Sequence, residues 1–156
     1  MQKQSIPDAI AHFLGRCKAH NLKITPQRMA IYKELMQSKK HPSADSLFRT
    51  IRNKFPNISF DTVNRTLQTL AEIGIIDLVE SFSGPKRFDP NMKNHHHLHC
   101  ISCGKIIDFD NDQFNNLAIP ENTRQGFTIL GSRVVIKGIC EICSNQREIL
   151  PQHHTS

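Results

Sequence analysis

The stretch Ser59-Phe60-Asp61-Thr62-Val63-Asn64-Arg65-Thr66-Leu67-Gln68-Thr69-Leu70 decides how the first half of this chain folds. Phe60, Val63, Leu67, Leu70 and, one residue on, Ala71 recur at helical spacing, so one stripe is apolar and turns inward. Ser59 is a residue type that caps a helix N-terminus, and Gly74 stands where a C-terminal cap belongs. On the other face Thr62, Arg65, Thr66 and Thr69 fall at i, i+3, i+4 and i+7, a stripe of hydrogen-bonding side chains with no carboxylate among them.

Downstream of this helix Ile75 to Glu80 reads as a strand, Ser83-Gly84-Pro85 as a turn and Lys86 to Phe88 as the returning strand. Upstream lie three more helices. The first carries Ile6, Ile10, Phe13, Leu14 and Cys17 on one face, with Pro7 in its first turn. The second opens on the cap Thr25 and Pro26 and continues through Met29, Tyr32, Leu35 and Met36 to Ser38. Ser43 caps the third, whose inward residues are Ala44, Leu47, Phe48, Ile51 and Phe55, with Pro56 as the stop. Helices followed by a short hairpin describe a winged helix-turn-helix over residues 1–90.

Beyond Pro90 the pattern changes to short β segments: His97 to Ile101, Lys105 to Phe109, Phe127 to Leu130 and Arg133 to Lys137, with a short helix near Asn111 to Leu117. The fold class is therefore α+β, with a small second domain over residues 95–150. Residues 91–94 read as a hinge and 151–156 as a loose tail, whose His153-His154 pair reads as solvated.

Charge is divided in the same way. Residues 1–90 hold 14 Lys and Arg against 8 Asp and Glu, while residues 91–156 hold 6 against 6, so the whole excess of +6 lies in the helical half. Arg28 and Arg65, with Thr62, Asn64, Thr66 and Thr69, are the candidate contacts to double-stranded DNA. The start of the chain is amphipathic rather than a signal peptide, and no apolar run approaches membrane-spanning length, which predicts a cytoplasmic protein.

Five cysteines in a reducing compartment are seldom a disulfide framework. Cys100-x-x-Cys103 and Cys140-x-x-Cys143 are two knuckles 36 residues apart, and four thiolates suit a closed tetrahedral, structural Zn²⁺. An iron–sulfur cluster is the competing occupant, but its closely spaced cysteine runs are missing. Cys17, on an apolar helix face, reads as a packed core thiol. Residues 95–99 are His-His-His-Leu-His. In extended chain His95 and His97 share a face and His96 takes the other. Asp89 lies just upstream, and Asp108 on the following strand adds a carboxylate if the two strands pair. Such a nitrogen and oxygen set suits Fe²⁺, Mn²⁺ or Zn²⁺, against the plainer alternative of a solvated histidine run.

The ordered set Thr25-Pro26-Gln27-Arg28, His41-Pro42-Ser43-Ala44-Asp45, Phe60 to Leu70, Arg87-Phe88-Asp89, His95-x-His97-x-x-Cys100-x-x-Cys103-Gly104-Lys105 and Cys140-x-x-Cys143 resembles the ferric uptake regulator family. The resemblance runs from about the first helix to Cys143. It implies a winged helix hinged to a dimerisation domain, working as a homodimeric repressor of operator DNA, with no enzymatic turnover. It also implies structural zinc at Cys100, Cys103, Cys140 and Cys143, and a regulatory Fe²⁺ or Mn²⁺ at His41, Asp89, His95, His97 and Asp108. Aspartates at the positions of Asp89 and Asp108 resemble the peroxide-responsive branch, whereas glutamate at the second is more typical of the iron-uptake regulators. In the former, bound Fe²⁺ reduces H₂O₂ and a ligating imidazole, His41 or His95 here, is oxidised; peroxide is a signal, not a substrate.

Two positions depart from the family pattern. Asn64 replaces the usual tyrosine of the recognition helix, which leaves the operator sequence open, and Ile139 replaces a histidine of a third metal site, so no third site is expected. The rival readings are an iron- or zinc-responsive uptake regulator without peroxide sensing, a zinc-dependent hydrolase built on the histidine and aspartate set, and a zinc-ribbon module. The hydrolase lacks a motif such as H-E-x-x-H, and the zinc ribbon leaves the helical half unexplained.

Overall fold

The computed structural model describes residues 6–79 and 84–148. Glu80 and Ser83, assigned above to the wing, and the His153-His154 tail lie outside them. The chain divides into two compact units between Lys93 and Asn94.

The first unit contains α1 (Ile6–Ala19), α2 (Pro26–Gln37), α3 (Ala44–Ile51), α4 (Phe60–Glu72), β1 (Asp77–Val79) and β2 (Arg87–Asp89), the last two an antiparallel pair. The three capping residues act as their chemistry dictates. The side-chain oxygens of Thr25, Ser43 and Ser59 accept from the N–H of Arg28, Ser46 and Thr62, satisfying donors that the first turn leaves unpaired. One core runs through all four helices and takes Phe88 from β2. Phe13 stacks on Tyr32 at 4.6 Å between ring centroids, and the Tyr32 hydroxyl donates to the Ala9 carbonyl at 3.1 Å. At the other end of α4, Arg16 of α1 donates through Nε to the Ile73 carbonyl at 3.0 Å, and Gly74 leaves the helix at φ +69°.

Four expectations for this unit are corrected. Phe60 is 45% exposed and only meets Phe48 edge-on, whereas Thr66 is buried. The reason is angular: Val63, Thr66, Leu67 and Leu70 fill one arc of the helix, which places Thr66 inside it and Phe60 at its rim in the first turn. Phe55 lies beyond the end of α3, in a turn whose N–H donates to the Ile51 carbonyl. The first strand begins only at Asp77, because Ile75 and Ile76 are fully buried as the chain turns off α4.

In the second unit β3 (His96–Cys100) lies between β4 (Ile106–Phe109), antiparallel to it, and β5 (Val135–Gly138), parallel to it. The helices are α5 (Asp112–Asn115), capped by Asn111, then α6 (Glu121–Arg124) and α7 (Glu141–Glu148). The strand expected over Phe127 to Leu130 does not form. Both edges of β3 are taken by β4 and β5, and Phe127 and Leu130 are 74% and 96% exposed. Neither α6 nor α7 was anticipated; they are too short, or too polar, to show an apolar stripe.

Candidate metal centres

Each cysteine knuckle is made by a strand running into a tight turn. After β3 the chain reverses at Gly104 (φ +73°), whose N–H donates to the Cys100 carbonyl at 2.9 Å, and this brings Cys103 back beside Cys100. After β5, Cys140 precedes α7 and Cys143 lies in its first turn. Because β5 pairs in parallel with β3, the two knuckles emerge at the same end of the sheet. Ligand atoms of Cys100, Cys103, Cys140 and Cys143 lie within 4.8 Å of one another. The Sγ atoms of Cys103 and Cys140 are 3.7 Å apart, and no disulfide forms among the described cysteines. Four sulfurs at zinc-bond length, about 2.3 Å from a common centre, have tetrahedral edges of about 3.8 Å. The cluster thus has the dimensions of a zinc cage with no coordination position left open.

Its electrostatics lean the same way. The Cys100 thiol is held down to about 6 by backbone hydrogen bonds from Cys103 and Cys140, which stabilise its thiolate. Cys143 is pushed up to about 11: hydrogen bonding with Ser102 draws it down, but the sulfurs of Cys140 and Cys103 outweigh that pull. Sulfurs crowded this closely resist ionising together unless a cation lies among them. Cys17, by contrast, is buried in the helical core, and burial raises its thiol pKa.

The histidine and aspartate candidates form two groups, one in each unit. In the first, His41 Nε2 lies 3.3 Å from Asp89 Oδ2. In the second, the register of β3 and β4 sets His97 opposite Asp108 on one face of the sheet. His95 Nε2 is 2.9 Å from His97 Nε2, and Asp108 Oδ1 lies 3.8 Å and 3.5 Å from those two nitrogens. Adjacent ligands at about 2.1 Å from one ion sit about 3 Å apart, so the donor spacing suits a divalent metal. His96 takes the opposite face as the strand period requires. It lies against Phe109 and Phe114, and its Nδ1 accepts from the Val134 N–H at 3.1 Å. His96 is therefore a structural histidine.

The candidate DNA contacts on α4 are not equivalent. Arg65 is exposed and paired with exposed Asp61 at 3.0 Å, the hydroxyls of Thr62 and Ser59 are 2.9 Å apart, and Asn64 and Thr69 are half-exposed. Thr66 is withdrawn from the list by its burial. The outward arc instead runs through Asp61, Arg65 and half-exposed Gln68. Sequence reading missed Asp61 and Gln68 although their i,i+4 relation to Arg65 and Asn64 was legible. In the first turn of α2, Arg28 donates through Nη1 to the carbonyl of Lys23, which precedes the helix, at 2.5 Å. Among the described residues no helix is long and apolar enough to cross a membrane.

A profile of the ferric uptake regulator family matches residues 19–137. The peroxide-responsive repressor PerR of Staphylococcus aureus is 33% identical over 143 residues, which span 92% of this chain and 97% of that protein. Among solved structures, the Campylobacter jejuni peroxide stress regulator is 28% identical, with a TM-score of 0.62 over 83% of this chain and 98% of its own. The Helicobacter pylori ferric uptake regulator Fur shares the fold at a TM-score of 0.74 and 22% identity, over 92% of this chain and 97% of its own.

Proposed function

Because this chain belongs to the ferric uptake regulator family, we propose that it is a metal-dependent transcriptional repressor that binds operator DNA as a homodimer and responds to peroxide. The observation that carries the reading is the pair of half-sites. His41 and Asp89 sit on the unit that holds the DNA-facing helix α4, and His95, His97 and Asp108 on the unit that holds the zinc cage. Neither group alone supplies a full coordination shell. We assign both to one regulatory ion, Fe²⁺ or Mn²⁺. Binding donors from both units restrains their relative angle, and it favours DNA binding to the extent that the restrained arrangement is the one that fits the operator.

Residue by residue, Cys100, Cys103, Cys140 and Cys143 hold Zn²⁺ and fix the second unit. That unit offers a surface for a second copy. Leu98, Ile107 and Ile136 are in register across the three strands, on the face opposite His97 and Asp108, and are 41%, 44% and 40% exposed. Such an apolar row suits a homodimer interface. Arg65, Asn64 and Gln68 face the DNA from α4, and Arg28 stands with the basic excess of the same unit.

His41, Asp89, His95, His97 and Asp108 would hold Fe²⁺, which would supply the redox chemistry that activates H₂O₂; in the net reaction one peroxide oxygen would enter the imidazole of His41 or His95 and the other would leave as water. Two short aspartates and three imidazoles would be the donors that hold the ion. An oxidised imidazole is a poorer ligand, so the half-sites part and the operator is released.

The test begins with protein purified without oxygen and an operator selected from random DNA. After brief, low H₂O₂ the Fe²⁺ form loses the operator and gains one oxygen, about 16 Da, on His41 or His95, while the Mn²⁺ form keeps its mass and affinity. An Fe²⁺ form that stays bound with unmodified histidines makes the protein an iron-responsive regulator instead.

A further inference from the structure

His41 has a backbone that its own sequence disfavours. Its φ is +45°, in the left-handed region that a residue with a β-carbon avoids, and it precedes Pro42, which steers the preceding residue toward extended geometry. Strand β2 holds it there from three sides. The Arg87 guanidinium donates through Nη1 to the His41 carbonyl at 3.0 Å, the Phe88 N–H donates to the Pro42 carbonyl at 3.1 Å, and Asp89 meets the imidazole at 3.3 Å. Ser43 forms an isolated bridge with Arg87, and Arg87 pairs across the hairpin with Val79. The Arg87 guanidinium that grips the backbone of residue 41 is a charged donor, the stronger kind.

We propose that Arg87 is the positioning residue for the regulatory ligand: it holds His41 in its left-handed turn, aims the imidazole at Asp89, and ties that ligand to the wing. The proposal rests on His41 being a ligand of the regulatory ion. The wing and the sensor loop then move as one piece, so release of His41 from the metal is felt directly at β1 and β2.

The charge of Arg87 cannot produce the expected effect. Removing a cation from beside a divalent metal would tighten metal binding, whereas losing a positioning contact weakens it. Mn²⁺ affinity is measured on the zinc-loaded dimer for the wild type, Arg87→Ala, His41→Ala and the double variant, with thermal melting to confirm folding. Arg87→Ala weakens Mn²⁺ binding about tenfold, and the loss vanishes in the His41→Ala background, because the two residues act through one contact. Arg87→Lys, which can still donate to the His41 carbonyl, recovers most of the affinity, and Arg87→Gln recovers less. In the zinc-loaded, manganese-free protein, backbone chemical shifts of residues 41 and 42 move toward extended values in Arg87→Ala. Losses that add in the double variant, or an unchanged affinity in Arg87→Ala, overturn the positioning role and leave His41 as a ligand. An unchanged affinity in His41→Ala removes the ligand assignment and the proposal with it.

Discussion

Replacing Cys100 by serine should unfold one half of the protein and spare the other. The first unit has a core of fifteen buried residues drawn from α1 to α4, their connecting segments and strand β2. In the second unit the buried apolar side chains among the described residues are Cys100, Ile106 and Cys143, two of them candidate zinc ligands. A fully buried aliphatic side chain contributes about 1.5–3 kcal/mol, whereas a structural zinc site contributes about 10–16 kcal/mol. The ion therefore outweighs the apolar core of that unit several times over. Cys100→Ser removes the thiol whose ionised form is favoured by backbone hydrogen bonds from Cys103 and Cys140, and it leaves three sulfurs where four close the shell. Hydrogen exchange read by mass spectrometry separates the units. Peptides from α4 keep their protection, those from β3 and β5 lose it, bound zinc falls to zero and the dimer dissociates. Because α1 to α4 hold most of the helix, far-ultraviolet dichroism changes little. A zinc-free, folded dimer of Cys100→Ser would refute the cage, and loss of protection in α4 together with β3 would refute the independence of the two cores.

Leu98→Asp places a charge at the centre of the row Leu98, Ile107, Ile136, so sedimentation should find a monomer that still carries its zinc; a persisting dimer moves the interface elsewhere. Asp61→Asn frees Arg65 and removes a negative charge from the outward arc of α4, so operator affinity should rise, while Arg65→Ala should lose about 1–3 kcal/mol; equal affinities across a salt series would take α4 out of the groove. Tyr32 is the sole tyrosine, in a chain without tryptophan, so its phenolate can be followed by absorbance. Burial, and then the Cys17 thiolate, push its pKa up to about 12. The folded value lies above the unfolded one, so this contribution to stability is fully present below about pH 10 and is lost as the pH rises toward 12. Ionisation near pH 10 with the helices intact would show that Tyr32 is not held in the core.

How much was legible from the chain alone depends on the range of the interaction. The caps Thr25, Ser43 and Ser59 and the apolar stripes of α1, α2 and α4 are local signals, and the structure forms those elements within a residue or two. The alternation of His95, His96 and His97 is equally local, since side chains on extended backbone take opposite faces. Where the readings failed, a neighbour decided. Thr66 is turned inward by the packing of Val63, Leu67 and Leu70, and Phe127 to Leu130 stays outside the β4-β3-β5 sheet.

The sequence by itself determined the donor chemistry: two C-x-x-C knuckles, a histidine run, two aspartates and a basic helical half are all visible without coordinates. Only the tertiary structure decided which donors meet. Register is a long-range property, because only strand pairing sets Asp108 opposite His97 and brings Cys140 beside Cys103. The same holds for His41. Its sequence neighbour is a proline that favours extended chain, and its observed turn exists because Arg87, forty-six positions away, donates a hydrogen bond to its carbonyl.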